Sequence, residues 1–136
     1  MSGKAGFQPI AILVGVMTDV IGSVATGLLL SIAMTAFGIP EAEIIPRLNS
    51  FSGLMLKALA VLGFTFTGGY FAGQIAGQRR VLHGGIVAVI GMLFSILCWE
   101  KGLPVWYGML HFGGMVPAGM AGGYFGKPQN GPTRTG

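Results

Sequence analysis

Long apolar runs alternate with short polar clusters along this chain. From Ile10 to Phe37 the only polar side chains are Thr18, Asp19, Ser23, Thr26, Ser31 and Thr35. That run predicts a first helix, with Pro9 in its first turn. A helix of this length rises about 42 Å, more than a hydrocarbon core of about 30 Å. The excess implies tilt or an end in the headgroups. Gly38-Ile39-Pro40 stops the run, and residues 38–52 read as the longest loop. Its Ile39, Ile44, Ile45 and Leu48 would hold it against the membrane surface or the bundle. A second helix is expected from Phe51 to Gly77, with Lys57 near its start snorkelling outward. Gln78-Arg79-Arg80 turns the chain into a third helix, Val81 to Trp99. Glu100-Lys101-Gly102 turns it again, and Pro104 opens a fourth that reaches Phe125. Pro117 inside that helix predicts a kink near Gly113-Gly114.

Composition turns this pattern into a class. Hydrophobic residues make up 52% of the chain and charged residues 9%. Soluble domains carry about 25% charged residues. Too few charges remain here to coat a globule, and soluble helices need a polar face that these lack. The expected fold is all-α, a polytopic membrane protein with four transmembrane helices arranged as two helical hairpins. Residues 1–126 would form one domain and 127–136 a disordered cytoplasmic tail. The first run is too long for the h-region of a cleaved signal, about 7–15 residues, and is read as a retained helix.

Charge adds orientation. The net charge is +4, but no basic run exceeds Arg79-Arg80, so nucleic acid is not an expected partner and the lipid bilayer is. Four spans place Lys4, Arg79, Arg80, Lys127 and Arg134 on one side and Arg47, Lys57 and Lys101 on the other. Five cations against three put both termini in the cytoplasm. Trp99, Trp106 and Tyr107 would form an aromatic belt at the far face, with Tyr70, Phe71, Tyr124 and Phe125 at the near one. The single cysteine, Cys98, excludes an internal disulfide and reads as a small apolar filler.

Small residues recur at helical spacing. The second helix carries Gly69, Gly73 and Gly77, and the fourth carries Gly114, Ala118 and Gly122, with Gly119 and Gly123 alongside. Ser23, Gly27 and Ser31 form a similar row in the first. Residues four apart share a face, and a face without side chains lets backbones approach closely in lipid. Gly122-Gly123-Tyr124-Phe125 also repeats Gly68-Gly69-Tyr70-Phe71 at a spacing of 54. The repeat fits two parallel hairpins related by an axis along the membrane normal. It fits equally a glycine and aromatic pair that suits a helix end.

Candidate chemistry is sparse. Asp19 is an acid within an apolar run, costly unless paired, hydrated or protonated. It reads either as a proton or ion site or as interhelical glue to Thr18, a glycine backbone or His111. His111 could pair with Asp19, bond a neighbouring helix or ligate a tetrapyrrole. The bland reading, a packing hydrogen bond, is the usual one, and no cofactor is expected. His83 sits at a helix start beside Arg79 and Arg80, as a turn cap or headgroup contact. No metal cluster, nucleophile–base pair or phosphate loop appears, so no catalytic residue is assigned and an enzyme is not expected.

Two resemblances bear on these residues. The run Gly68-Gly69-Tyr70-Phe71-Ala72-Gly73-Gln74-Ile75-Ala76-Gly77, followed by Leu82-His83-Gly84, resembles a pattern in small four-helix prokaryotic membrane proteins of unknown function. It implies an inner or plasma membrane location and carries no activity. Asp19-Val20-Ile21-Gly22-Ser23 is similar to the first helix of small multidrug resistance exporters, which would make Asp19 the shared proton and substrate site of a dimer. Those exporters have Glu at this position, a shorter first helix and no glycine rows in the second. Two functional expectations follow. One is an accessory or assembly subunit that holds other membrane subunits through glycine-lined faces. The other is a small proton-coupled transporter or channel, a homo-oligomer formed around Asp19.

Overall fold

The computed structural model describes residues 8–127. The expectation for a disordered tail falls almost wholly outside them. Five helices follow one another: α1 Pro9–Ala36, α2 Glu41–Leu48, α3 Phe51–Ala76, α4 Arg80–Leu97 and α5 Val105–Phe125. No strand occurs among the described residues. The four long helices coincide with the four apolar segments. Three of them, α1, α3 and α4, are long and apolar enough to cross a membrane. The fourth expected span, α5, is not. Its 21 residues suffice in length, but its many glycines, His111 and Pro117 dilute its apolar character. It runs as helix through Pro117.

The segment expected to be a loop contains α2. Ile44 and Leu48 are four residues apart and buried, while Glu41, Glu43 and Arg47 face outward. Glu41 and Glu43 lie in the first turn and Arg47 in the last, each complementing the helix dipole. An exposed Arg47–Glu43 pair at 2.8 Å adds little. The amphipathic period was present in the sequence but obscured by Pro46 and by the flanking Pro40.

Helix α3 is the hub, packing against α1, α4 and α5, while the backbones of α1 and α5 do not approach closely. Its two sides carry different glycines. On one, a β-carbon at Gly68 would lie 2.5 Å from the carbonyl oxygen of Gly15 in α1. On the other, a β-carbon at Gly69 would strike the carbonyl of Gly119 in α5, and one at Gly73 would lie 2.7 Å from that of Gly123. Leu62 meets Gly114 a little earlier along both helices, so α3 and α5 run parallel. Helix α4 closes on α5 the same way, with Gly84 against Gly119 and Gly123. Such backbone approach replaces the hydrophobic force that lipid does not supply. Outer faces remain apolar and exposed, as at Leu13, Ile21, Leu28, Leu59 and Leu93.

Polar contacts gather the helix ends. The backbone N–H of Gln8 donates to Nε2 of His83 at 3.2 Å. Arg80 donates to the carbonyl of Gly126, just past α5, at 3.1 Å. The start of α1, the α3–α4 turn and the end of α5 therefore share one end of the bundle. At the other end Lys57 donates to Asn49 Oδ1 at 3.1 Å, and the Phe51 and Trp106 rings lie 5.1 Å apart.

The packing separates two kinds of glycine. Gly69→Ala is expected to lower stability by about 1–3 kcal/mol, because the added methyl meets fixed backbone. Gly63→Ala, where an added β-carbon meets nothing within 4 Å, is expected to stay within about 0.5 kcal/mol of the parent. Thermal unfolding in mild detergent checks both.

Candidate functional site

Five residues of α1 face inward: Ala11, Ile12, Gly15, Asp19 and Gly22. Their spacing follows one helical face, which turns Asp19 into the bundle. Its exposure is 2%. Gly15 and Gly22 flank it by about one turn each, and both admit a neighbouring helix. Across the interface, Thr65 of α3 donates its hydroxyl to Asp19 Oδ1 at 2.8 Å. The other oxygen, Oδ2, lies against Gly91 of α4, at the place a side chain there would occupy. Asp19 thus joins α1, α3 and α4 within a single chain.

A cavity of about 210 Å³ opens beside this carboxylate. Asp19, Ser23, Gly91, Ser95, Cys98 and Met115 are among its walls. Toward the termini the same interface is shut. Ala72 and Val87 are fully buried there and cluster with Ile12. A β-carbon at Gly15 would sit 2.6 Å from the Val87 side chain.

A second cavity, also about 210 Å³, lies toward the opposite end. Lys57, Ser95, Cys98, Trp99, Glu100, Tyr107 and His111 border it. Ser95 and Cys98 line both cavities. On α5, Tyr107, His111 and Met115 recur every four residues and so form one face that passes from the second cavity to the first. His111 is 5% exposed, and neither ring nitrogen has a hydrogen-bond partner among the described residues. Its ring lies 5.7 Å from Trp99 and 5.5 Å from Tyr107.

The other residues singled out from the sequence are dispersed. Thr18 donates to the Val14 carbonyl of its own helix at 2.8 Å and does not reach Asp19. His111 does not pair with Asp19 either, since α1 and α5 do not pack together. His83 is 1% exposed, and its Nδ1 meets the Arg79 carbonyl at 3.0 Å. With Nε2 accepting from Gln8, the proton sits on Nδ1. His83 therefore holds the turn from inside. Arg79 is exposed and adopts a left-handed conformation at φ 51°.

Gly69, Gly73, Gly114 and Gly122 all pack against this chain's own helices. Gly77 leaves that row. It caps α3 at φ +63°, which glycine adopts without strain, and no atom approaches its β position. Ala118 is half-buried, and Gly119 and Gly123 make the close contacts instead. Within this chain no helix packs on the row Ser23, Gly27, Ser31 at Gly27, where an added β-carbon meets nothing within 4 Å among the described residues. Tyr107 is buried and so leaves the aromatic belt, whereas Trp106 stays partly exposed. Among the described residues no group of three His, Cys, Asp or Glu side chains could hold a metal ion.

Thr65, Gly91 and Ser95 were missed from sequence. Thr65 could have been found, because it shares a face with Gly68, Gly69 and Ala72 at helical spacing. Gly91 and Ser95 are a turn apart on α4, but nothing local distinguishes them. No protein family, curated protein or solved structure matches the chain.

Two variants probe the carboxylate. Thr65→Val removes the one side-chain donor to Oδ1 among the described residues and is expected to cost about 1–3 kcal/mol, with Thr65→Ser recovering most of it. Gly91→Ala is expected to destabilise as well, because its methyl takes the space of Oδ2. Chemical denaturation in detergent reads both effects.

Proposed function

We propose that this chain is a non-enzymatic, multi-pass membrane protein in which Asp19 carries protons, as the coupling site of a small transporter. The observation that carries the reading is the setting of Asp19. A carboxylate within a membrane helix costs about 3 kcal/mol or more and marks function by default. A purely structural acid would be enclosed by donors on both oxygens. Here Thr65 serves Oδ1, while Oδ2 faces Gly91 and the carboxylate borders a cavity. One oxygen held and one side open suit reversible protonation. The residue is buried inside one chain, so a dimer interface need not pass through it.

We read α5 as a fourth span. It lies parallel to α3 along its length, and its 21 residues rise about 31 Å, close to a hydrocarbon thickness of about 30 Å. Its polar His111 faces inward, which spares lipid contact. Arg79, Arg80 and Lys127 gather at the end where α5 stops, with no acid beside them among the described residues. Glu41, Glu43 and Glu100 all belong to the other end. Counted over the whole sequence, Lys4, Arg79, Arg80, Lys127 and Arg134 outnumber Arg47, Lys57 and Lys101, which favours both termini in the cytoplasm, and the sequence resemblance favours a prokaryotic plasma membrane.

A second reading is an accessory or assembly subunit; Gly69, Gly73, Gly114 and Gly122 are covered within the chain, so a neighbour would have to use open small-residue positions such as Gly27, between Ser23 and Ser31.

Proteoliposomes with a trapped pH dye and an imposed proton gradient test the proposal. The parent is expected to dissipate the gradient faster than protein-free vesicles, and Asp19→Asn to return the rate to theirs while keeping its unfolding transition. Equal rates for parent and Asp19→Asn would reject a proton role.

A further inference from the structure

Ser95 and Cys98 border both cavities. Ser95 lies on α4 about one turn beyond Gly91, and Cys98 caps the same helix about one turn further on, so both stand between the space beside Asp19 and the space beside His111. The outer cavity is bordered by Lys57 and Glu100, charged groups near the end of the bundle opposite the termini. Each space could hold several waters at roughly 30 Å³ apiece. Waters there would find polar partners in Tyr107, His111, Ser95, Ser23 and Asp19. The two unpartnered nitrogens of buried His111 point to the same conclusion, because a buried imidazole left without hydrogen bonds is costly. On the other side of Asp19 the apolar cluster of Ile12, Ala72 and Val87 blocks any comparable path.

We propose that the two cavities, which share Ser95 and Cys98 as walls, join into a one-sided aqueous passage that delivers protons from the face opposite the termini to Asp19, with His111 as the relay between them. The inference rests on the proton role of Asp19 and adds its route and sidedness. A proton from outer water binds one imidazole nitrogen of His111. The proton on the other nitrogen leaves to water at Ser95 and passes to the Asp19 carboxylate. Imidazole is neutral before and after the transfer, and no other reactant is consumed. Sealing toward the termini keeps this transfer from becoming a through-leak. A second conformation, in which α1 parts from α4 at Gly15, would release the proton on the far side.

Thiol labelling tests the passage without relying on flux. The full chain, in a Cys98→Ala background, carries Ser95→Cys, Ser23→Cys or Leu93→Cys. It sits in sealed vesicles of known orientation, and a membrane-impermeant cationic methanethiosulfonate is added to the side opposite the termini. Thiolate forms in water and not in lipid, so Ser95→Cys and Ser23→Cys are expected to react at least about tenfold faster than Leu93→Cys on the lipid-facing side of α4. Val87→Cys, within the seal, is expected to stay unlabelled. Reaction of Ser95→Cys no faster than Leu93→Cys would overturn the passage, even if Asp19→Asn still abolished flux. Labelling as expected with flux unchanged by Asp19→Asn would keep the passage and remove the proton role. The relay has its own readout. His111→Gln is expected to slow proton flux while leaving the Ser95→Cys labelling rate unaltered, and undiminished flux would remove His111 from the route.

Discussion

Everything in this bundle depends on α3 touching its neighbours backbone to backbone on two sides at once. Gly68 admits α1 at Gly15, and Gly69 and Gly73 admit α5 at Gly119 and Gly123. No side chain fits at those points. Lipid removes the hydrophobic reward for helix association, so van der Waals contact between bare backbones carries the packing. The same closeness sets the polar chemistry. Thr65 is one turn before Gly68 and Gly69, and its short hydroxyl reaches Asp19 only because α1 and α3 meet so tightly there.

The bundle is not uniform along its length. At the end with the termini, glycine contacts, the apolar cluster around Val87 and the bonds of His83 and Arg80 draw four helix ends together. Past Gly91, Phe94 and Ser95 of α4 and Cys98 and Trp99 just beyond its end line cavities. Asp19 stands where the closed part meets the open part. The proposed proton role rests on that position more than on burial alone, because a carboxylate that must change protonation needs contact with water on one side.

The repeat of Gly-Gly-Tyr-Phe in α3 and α5 acquires a physical meaning in this arrangement. Gly122 packs against the backbone at Phe66 and Tyr70, and Gly126 against that of Tyr70. The two copies lie together at one end of parallel helices. They do not make the whole chain symmetric, because α4 contacts both α1 and α3 while α1 and α5 stay apart. The recurrence therefore describes one interface and not two equivalent hairpins.

The sequence by itself determined the helices and their surroundings. Apolar runs bounded by Gly38, Arg79 and Pro104 can satisfy their backbone in lipid only as helices, and scarce charges leave no alternative class. It also singled out Asp19, since an acid in such a run is conspicuous without any structure. The short helix α2 was less legible, because two prolines mask its period. Only the tertiary structure decided what each polar group meets. Helical spacing says which residues share a face but not which face finds which neighbour. So Thr18, adjacent to Asp19 in sequence, bonds its own helix, while Thr65, 46 residues away, holds the carboxylate. For the same reason the glycine rows, which read as docking faces, are consumed inside the chain, and His111 faces a cavity and not Asp19.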